Sequence, residues 1–185
     1  MQDNALFALL KTTMEALEPT YGIPLVNGQP GVPVLQNFQP TQQGTPLAPS
    51  AFLHKVGDKR FGFVYREDIW DEVNSVEVHT EVQQYITTFQ LSTLAIQNPS
   101  NISAPTASDL ANIFAAIVQG SSFIATLEAQ GIGILHVTNV RNPYFIDDKG
   151  RYEAAPSFDF EITHKQIVTS QVPVLESYEI DIFSI

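Results

Sequence analysis

Residues 52–65 read Phe52-Leu53-His54-Lys55-Val56-Gly57-Asp58-Lys59-Arg60-Phe61-Gly62-Phe63-Val64-Tyr65. Phe61, Phe63 and Tyr65 recur at every second position, the period of a strand with two unlike faces. Gly57 and Asp58 are turn residues, so the stretch predicts a β-hairpin that turns there. Downstream, Val76, Val78 and Val82 precede Tyr85, Ile86, Phe89, Leu91 and Leu94. That make-up fits one long bent strand or two short ones.

After the turn cluster 98–105 the period changes. Thr106 with Asp109 three residues on is a capping-box start, and Leu110, Ile113, Phe114, Ile117 and Val118 mark the buried face of a helix. Gly120 ends it; Ser121 or Ser122 caps a second helix with Phe123, Ile124 and Leu127, and Gly131 closes that one. Residues 132–140 are β-rich and 142–156 read as a polar, aromatic loop. Phe158, Phe160 and Ile162 then alternate with Asp159, Glu161 and Thr163, a strand with one wet face. Residues 174–185 alternate again, Tyr178, Ile180 and Ile182 opposing Glu179 and Asp181. At the other end, Asp3 can cap a helix to Leu17 with Leu6, Leu10 and Met14 on one side, stopped by Pro19. This order predicts an α+β fold: a mixed or antiparallel sheet with the helix pair packed on one face, an N-terminal helix, and an extended Pro-rich arm.

The arm is residues 19–50. Seven of the 12 prolines and four of the 10 glycines lie between Pro19 and Pro49, and no charged residue occurs from Pro19 through His54, so the stretch can be neither an ordinary helix nor a typical disordered linker. It either lies on a neighbouring subunit or wraps its own domain, with Phe38 among its apolar anchors. The expected organisation is a single domain: helix 1–18, arm 19–50, α+β core 51–173 and C-terminal extension 174–185.

Composition narrows the function. The chain of 185 residues carries a formal net charge of -11, and no Lys or Arg occurs between Glu67 and Val140, where eight acids lie. Tight nucleic-acid binding, which needs cations on the protein, is disfavoured. There is no cysteine, which excludes disulfides, thiolate metal sites and cysteine nucleophiles. No signal-peptide pattern opens the chain, and no stretch approaches the ~20 apolar residues that cross a bilayer, so a soluble chain with no membrane partner is expected. Phosphate-loop, dinucleotide, nucleophile-elbow and zinc-helix motifs are absent. His54, His79, His136 and His164 are each expected in strands; His79 and Glu81 can share a sheet face but make no site without a third ligand. Asp147, Asp148 and Gly150 lack the spacing of a calcium loop and read as a turn. No catalytic residue, metal ligand or cofactor is expected.

The order and spacing of Phe61-Gly62-Phe63-Val64-Tyr65-Arg66-Glu67, the strand around Gln84–Phe89, the helix pair 106–130, Gly133–Pro143 and Ser157–Ile162 resemble the tail terminator or neck terminator subunits of tailed bacteriophages. The resemblance covers roughly residues 50–170. It implies a structural virion protein of the tail or neck, made in the host cytoplasm. Such a subunit forms a homo-oligomeric ring, expected to be hexameric, that caps the tail tube and joins it to the head-side connector or adaptor, with the sheath protein a further candidate partner. DNA passes through such a ring unheld, which would give the acidity a use, because like charges repel within a Debye length of ~8 Å. Expected interface residues are Phe38, Trp70, Tyr144, Phe145 and Tyr178; expected channel-lining residues are Asp147, Asp148 and Glu153. Another tail-completion or baseplate component, and a small-molecule hydrolase without a recognisable motif, are the alternatives.

Overall fold

The computed structural model describes residues 2–36, 49–95, 100–101, 103–146, 152–154, 156 and 157–173. Helix α1 (Asp3–Leu17) runs into a single 3-10 turn (Glu18–Tyr21) and a short strand β1 (Val34–Gln36). Two long strands follow, β2 (Ser50–Asp71) and β3 (Val76–Leu94), then helices α2 (Ala107–Gln119) and α3 (Ser121–Glu128). Strands β4 (Gly133–Val137), β5 (Tyr144–Ile146), β6 (Tyr152–Ala154) and β7 (Ser157–Pro173) complete the chain. The main sheet has the order β1-β2-β3-β7-β4, with β1 parallel to β2 and every other pair antiparallel. It is the expected α+β arrangement.

The core lies on one face of this sheet. Ala51 and Leu53 of β2, Phe89 and Leu91 of β3, and Phe158, Phe160 and Ile162 of β7 point to the same side and are buried. Leu6, Leu10 and Met14 of α1, Leu110, Phe114 and Ile117 of α2, and Phe123 and Leu127 of α3 cover them. The Phe89 ring stacks on Phe160 at 5.6 Å between centroids and meets the edge of Phe7 at 5.3 Å. Burying each such side chain contributes about 1.5–3 kcal/mol. The wet face of β7 is the other one, where Gln90 donates to Asp159 at 3.0 Å and Arg141 pairs with Asp159 at 2.6 Å.

Several local expectations change. Gly57 and Asp58 form no turn: β2 runs through them, and Gly57 marks a register shift against β3 between Lys55 and Gly57. A glycine in an extended run signals a bulge as readily as a turn. The chain reverses at residues 72–75 instead, where the Asp71 carboxylate accepts the amides of Val73 (3.0 Å) and Asn74 (3.2 Å) and Ser75 takes a left-handed φ of 52°. Residues 76–94 are one unbroken strand. Asp3 does not cap α1; Gln2 occupies that position, and Asp3 in the first turn pairs with Lys55 at 2.8 Å. The Thr106–Asp109 capping box is present in both directions. Gly120, not Ser121 or Ser122, caps α3, and a Cβ there would lie 2.0 Å from the Tyr21 hydroxyl, so any other residue would have to displace the Tyr21 ring. The loop 142–156 contains the two-stranded β5-β6 ladder.

The described part of the Pro-rich stretch wraps its own domain. Ile23, Val32 and Val34 are buried in the core, and Asn27-Gly28, both at positive φ, turn the chain between Val26 and Gln29. Residues 37–48, with Phe38, lie outside the described residues. The fastening is Glu18: fully buried, it accepts the Val32 amide through Oε2 at 3.2 Å while Oε1 has no partner. Burial pushes its carboxyl up from 4.5 to about 7, against the pull of the Val32 and Gly31 amides. The folded state therefore holds this proton where the unfolded chain has released it. Glu18 favours folding most below about pH 4.5, and that contribution is lost as pH rises through about 7. Denaturant unfolding from pH 4.5 to 7.5 should show wild type losing up to ~3 kcal/mol relative to Glu18→Gln, and parallel curves would contradict this.

Candidate assembly surface

On β3, full burial begins only at Thr87. The residues from Val76 to Ile86, with their partners on β2 and β7, extend past the helices as a three-stranded arm roughly 35 Å long at 3.2–3.4 Å per residue. The pairing register assigns each side chain to a face. On the helix side, Arg66 lies opposite Glu81 and Val168, Asp68 opposite His79 and Ser170, and Trp70 opposite Glu77 and Val172. On the open side, Tyr65 lies opposite Val82 and Ile167, and Ile69 opposite Val78 and Gln171.

The two faces differ in chemistry. The helix-side face holds the ion pairs, beside half-exposed Trp70, Val168 and Val172: Arg66 Nε binds Glu81 at 2.9 Å, and His79 binds Asp68 through Nδ1 and approaches Glu81 at 3.5 Å through Nε2. His79 and Glu81 do share a face. The hydrogen bond that His79 donates to Asp68, helped by Glu81, holds its imidazole above the ordinary pKa. The open face carries large apolar side chains, with the polar row Glu67, Thr80 and Thr169 between those of Tyr65 and Ile69. Phe61, Tyr65, Ile69 and Ile167 are each more than half exposed there, and Phe63, in the bulge between Phe61 and Tyr65, is fully exposed. The open face is thus polar beside the core, at Gln90 and Asp159, and gains exposed apolar groups on the arm, in the row Tyr65, Val82 and Ile167 and again at Ile69. Exposed apolar side chains gathered on one projecting face mark an interaction surface.

At the arm's root a polar network ties the sheet to α1. Lys55 Nζ bridges Asp3 (2.8 Å) and Asp58 (2.6 Å), Thr87 donates to Asp58 at 2.6 Å, and the Thr87 oxygen meets His164 Nε2 at 2.9 Å. Burial opposes charge on Lys55 and Asp58, yet their mutual bonds outweigh it: Lys55 is held above and Asp58 below the ordinary value. Burial lowers the His164 pKa, so its ring is neutral at pH 7. A hydrolytic reading needs His and carboxylate in contact within a closed pocket. Here His164 reaches Asp58 only through Thr87, which is fully buried with its proton committed to Asp58, and the recess they line is open. Among the described residues, no cluster of His, Asp and Glu could hold a metal ion.

Of the expected interface residues, Trp70 lies half-exposed at the arm's tip. Tyr144 and Phe145 belong to β5, paired with Ala154 and Glu153 of β6 in a separate two-stranded sheet. Tyr178, Asp147 and Asp148 lie outside the described residues. The exposed open face was missed, although Phe61, Tyr65 and Ile69 alternate onto it; a hairpin turning at Gly57 leaves no long projecting strand for them to lie on.

Side-chain NMR titration should place His79 above the usual ~6.5. Asp68→Asn should bring it down, and an unchanged midpoint would remove Asp68 as the cause.

A protein-family model described as E217 gateway protein gp29 matches residues 5–174. A comparison with curated proteins gives no match.

Proposed function

Because the chain belongs to the E217 gateway protein gp29 family, and is with it a structural, non-catalytic phage component of the head-to-tail junction, we propose that it works as a ring subunit whose arm makes the assembly contacts. The observation that carries this reading is the exposed apolar face at Tyr65, Ile69 and Ile167 on an arm that projects from an otherwise well-covered core. Solvent exposure of that face costs free energy that a protein partner would recover. The ring, hexameric on this reading, caps the tail tube and joins it to the head-side connector.

Charge fits the same role. Glu67, Asp68, Asp71, Glu72, Glu77 and Glu81, six of the eight acids in the base-free span, sit in the outer half of the arm or its turn. Arg66, and His79 when it is protonated, neutralise part of this set. An acidic tip repels a passing polyanion, so DNA would slide by without being held. Asp147, Asp148 and Glu153 remain proposed channel-lining residues, and Trp70 a proposed contact to the tube or connector.

Ile69→Asp combined with Tyr65→Asp should leave the isolated chain folded, its stability within ~0.5 kcal/mol, as for exposed sites generally. The same variant should abolish rings, read by light scattering and by negative-stain images of the chain with tail tubes. Rings formed as well by the variant as by wild type would exclude the arm's open face as the contact. A wild-type chain that never joins the neck would exclude the ring altogether.

A further inference from the structure

We propose that neighbouring copies of this chain join edge to edge, the outer edge of β2 in one arm pairing in parallel with the outer edge of β7 in the next. The inference rests on the ring reading above and specifies how that ring closes.

Pairing in the arm is lopsided. Strand β1 covers β2 only at Ala51–Leu53, and β4 covers β7 only as far as Thr163. Beyond those points no described strand pairs with the outer side of either one, so the arm presents two long edges on opposite sides of β3. Exposed edges are templates for another strand, and proteins that stay monomeric blunt them with charge, proline or bulges. From Gln166 to Val172, β7 carries no charged residue and no proline, and none of the three long strands' register shifts falls between β3 and β7. That edge is undefended.

The second copy is the occupant that its geometry suits. Both β2 and β7 run antiparallel to β3, and hence parallel to each other. A rotation that carries one subunit onto the next therefore places the β2 edge beside the β7 edge with matching direction, a head-to-tail contact that closes into a ring. Pairing β2 with β2 about Glu67 would instead set that carboxylate against its own copy, whereas the β7 edge is neutral there. In the head-to-tail contact the open-face rows also join: Tyr65 of one copy comes level with Ile167 of the next, since both lie in one row across β3. The exposed apolar face becomes a continuous belt.

The cysteine-free chain allows a sharp test. A shared sheet keeps faces aligned, and a slip of one residue moves a side chain to the wrong face. Glu67 is on the open face, as are odd-numbered β7 residues; even-numbered ones are on the helix side. Double variants would combine Glu67→Cys with Cys at each position from Thr163 to Gln171. Mild oxidation during ring assembly on tail tubes should give ladders of linked subunits from one or two odd positions, at least tenfold above any even position. Glu67→Cys alone should give no dimer. Equal ladders from odd and even positions, or dimers from Glu67→Cys alone, would overturn edge pairing. Rings without any cross-link would overturn it while leaving the ring reading intact, and chains that form no ring would overturn that reading instead.

Discussion

Strand β3 is the one element on which everything else is hung. It is paired on both sides over nearly its whole length, to β2 from Leu94 out to Val76 and to β7 from Ser92 out to Val76. Its inner part, from Thr87, supplies Phe89 and Leu91 to the core, and its outer part, Val76 to Ile86, is the spine of the arm. A two-stranded hairpin of this length would be marginal in water, and the third strand makes the projection self-supporting. The same strand thus decides where the helices stop and where the exposed surface begins.

The transition between those regions is built from polar groups. Thr87 is the last buried residue of β3, and there the sheet exchanges apolar packing for the Lys55, Asp58, Thr87 and His164 network. Tying Asp3 into this network fixes the start of α1 at the level where the core ends. The two faces then differ: the helix side holds the ion pairs of Arg66 and His79, while the open side exposes Phe61, Tyr65, Ile69 and Ile167. On a body-only sheet the opposite arrangement would hold, with the uncovered face kept polar as it is at Gln90 and Asp159.

Much of the body was legible from residue order. The α2 stripe and its Thr106–Asp109 box, the Phe158 to Ile162 alternation and the leading helix all follow from period and capping chemistry, because those signals are local. The arm was not. Strands commonly run about five or six residues, and a glycine followed by Asp58 reads as a turn under that expectation. The true reversal uses an Asp71 side chain and a left-handed Ser75, with no glycine to announce it. Alternation does place Phe61 and Tyr65 on one face, but it does not say that this face is left uncovered, which only the reach of β3 beyond the helices decides. Trp70 stood out by rarity; Ile69 and Ile167, ordinary residues far apart in the chain, become a surface only when the sheet forms.

The continuity of β3 also has a mechanical side. A load applied along the arm at its tip would be carried by covalent chain directly from Val76 to Phe89, and the flanking ladders would be strained in shear, with many hydrogen bonds loaded at once rather than peeled one by one. Because those bonds stand perpendicular to the strands, the arm is stiff against axial pull and yields most readily to sideways bending. A subunit of this shape can act as a tension member between two larger bodies, passing force into its Phe89–Phe160 core without first unravelling.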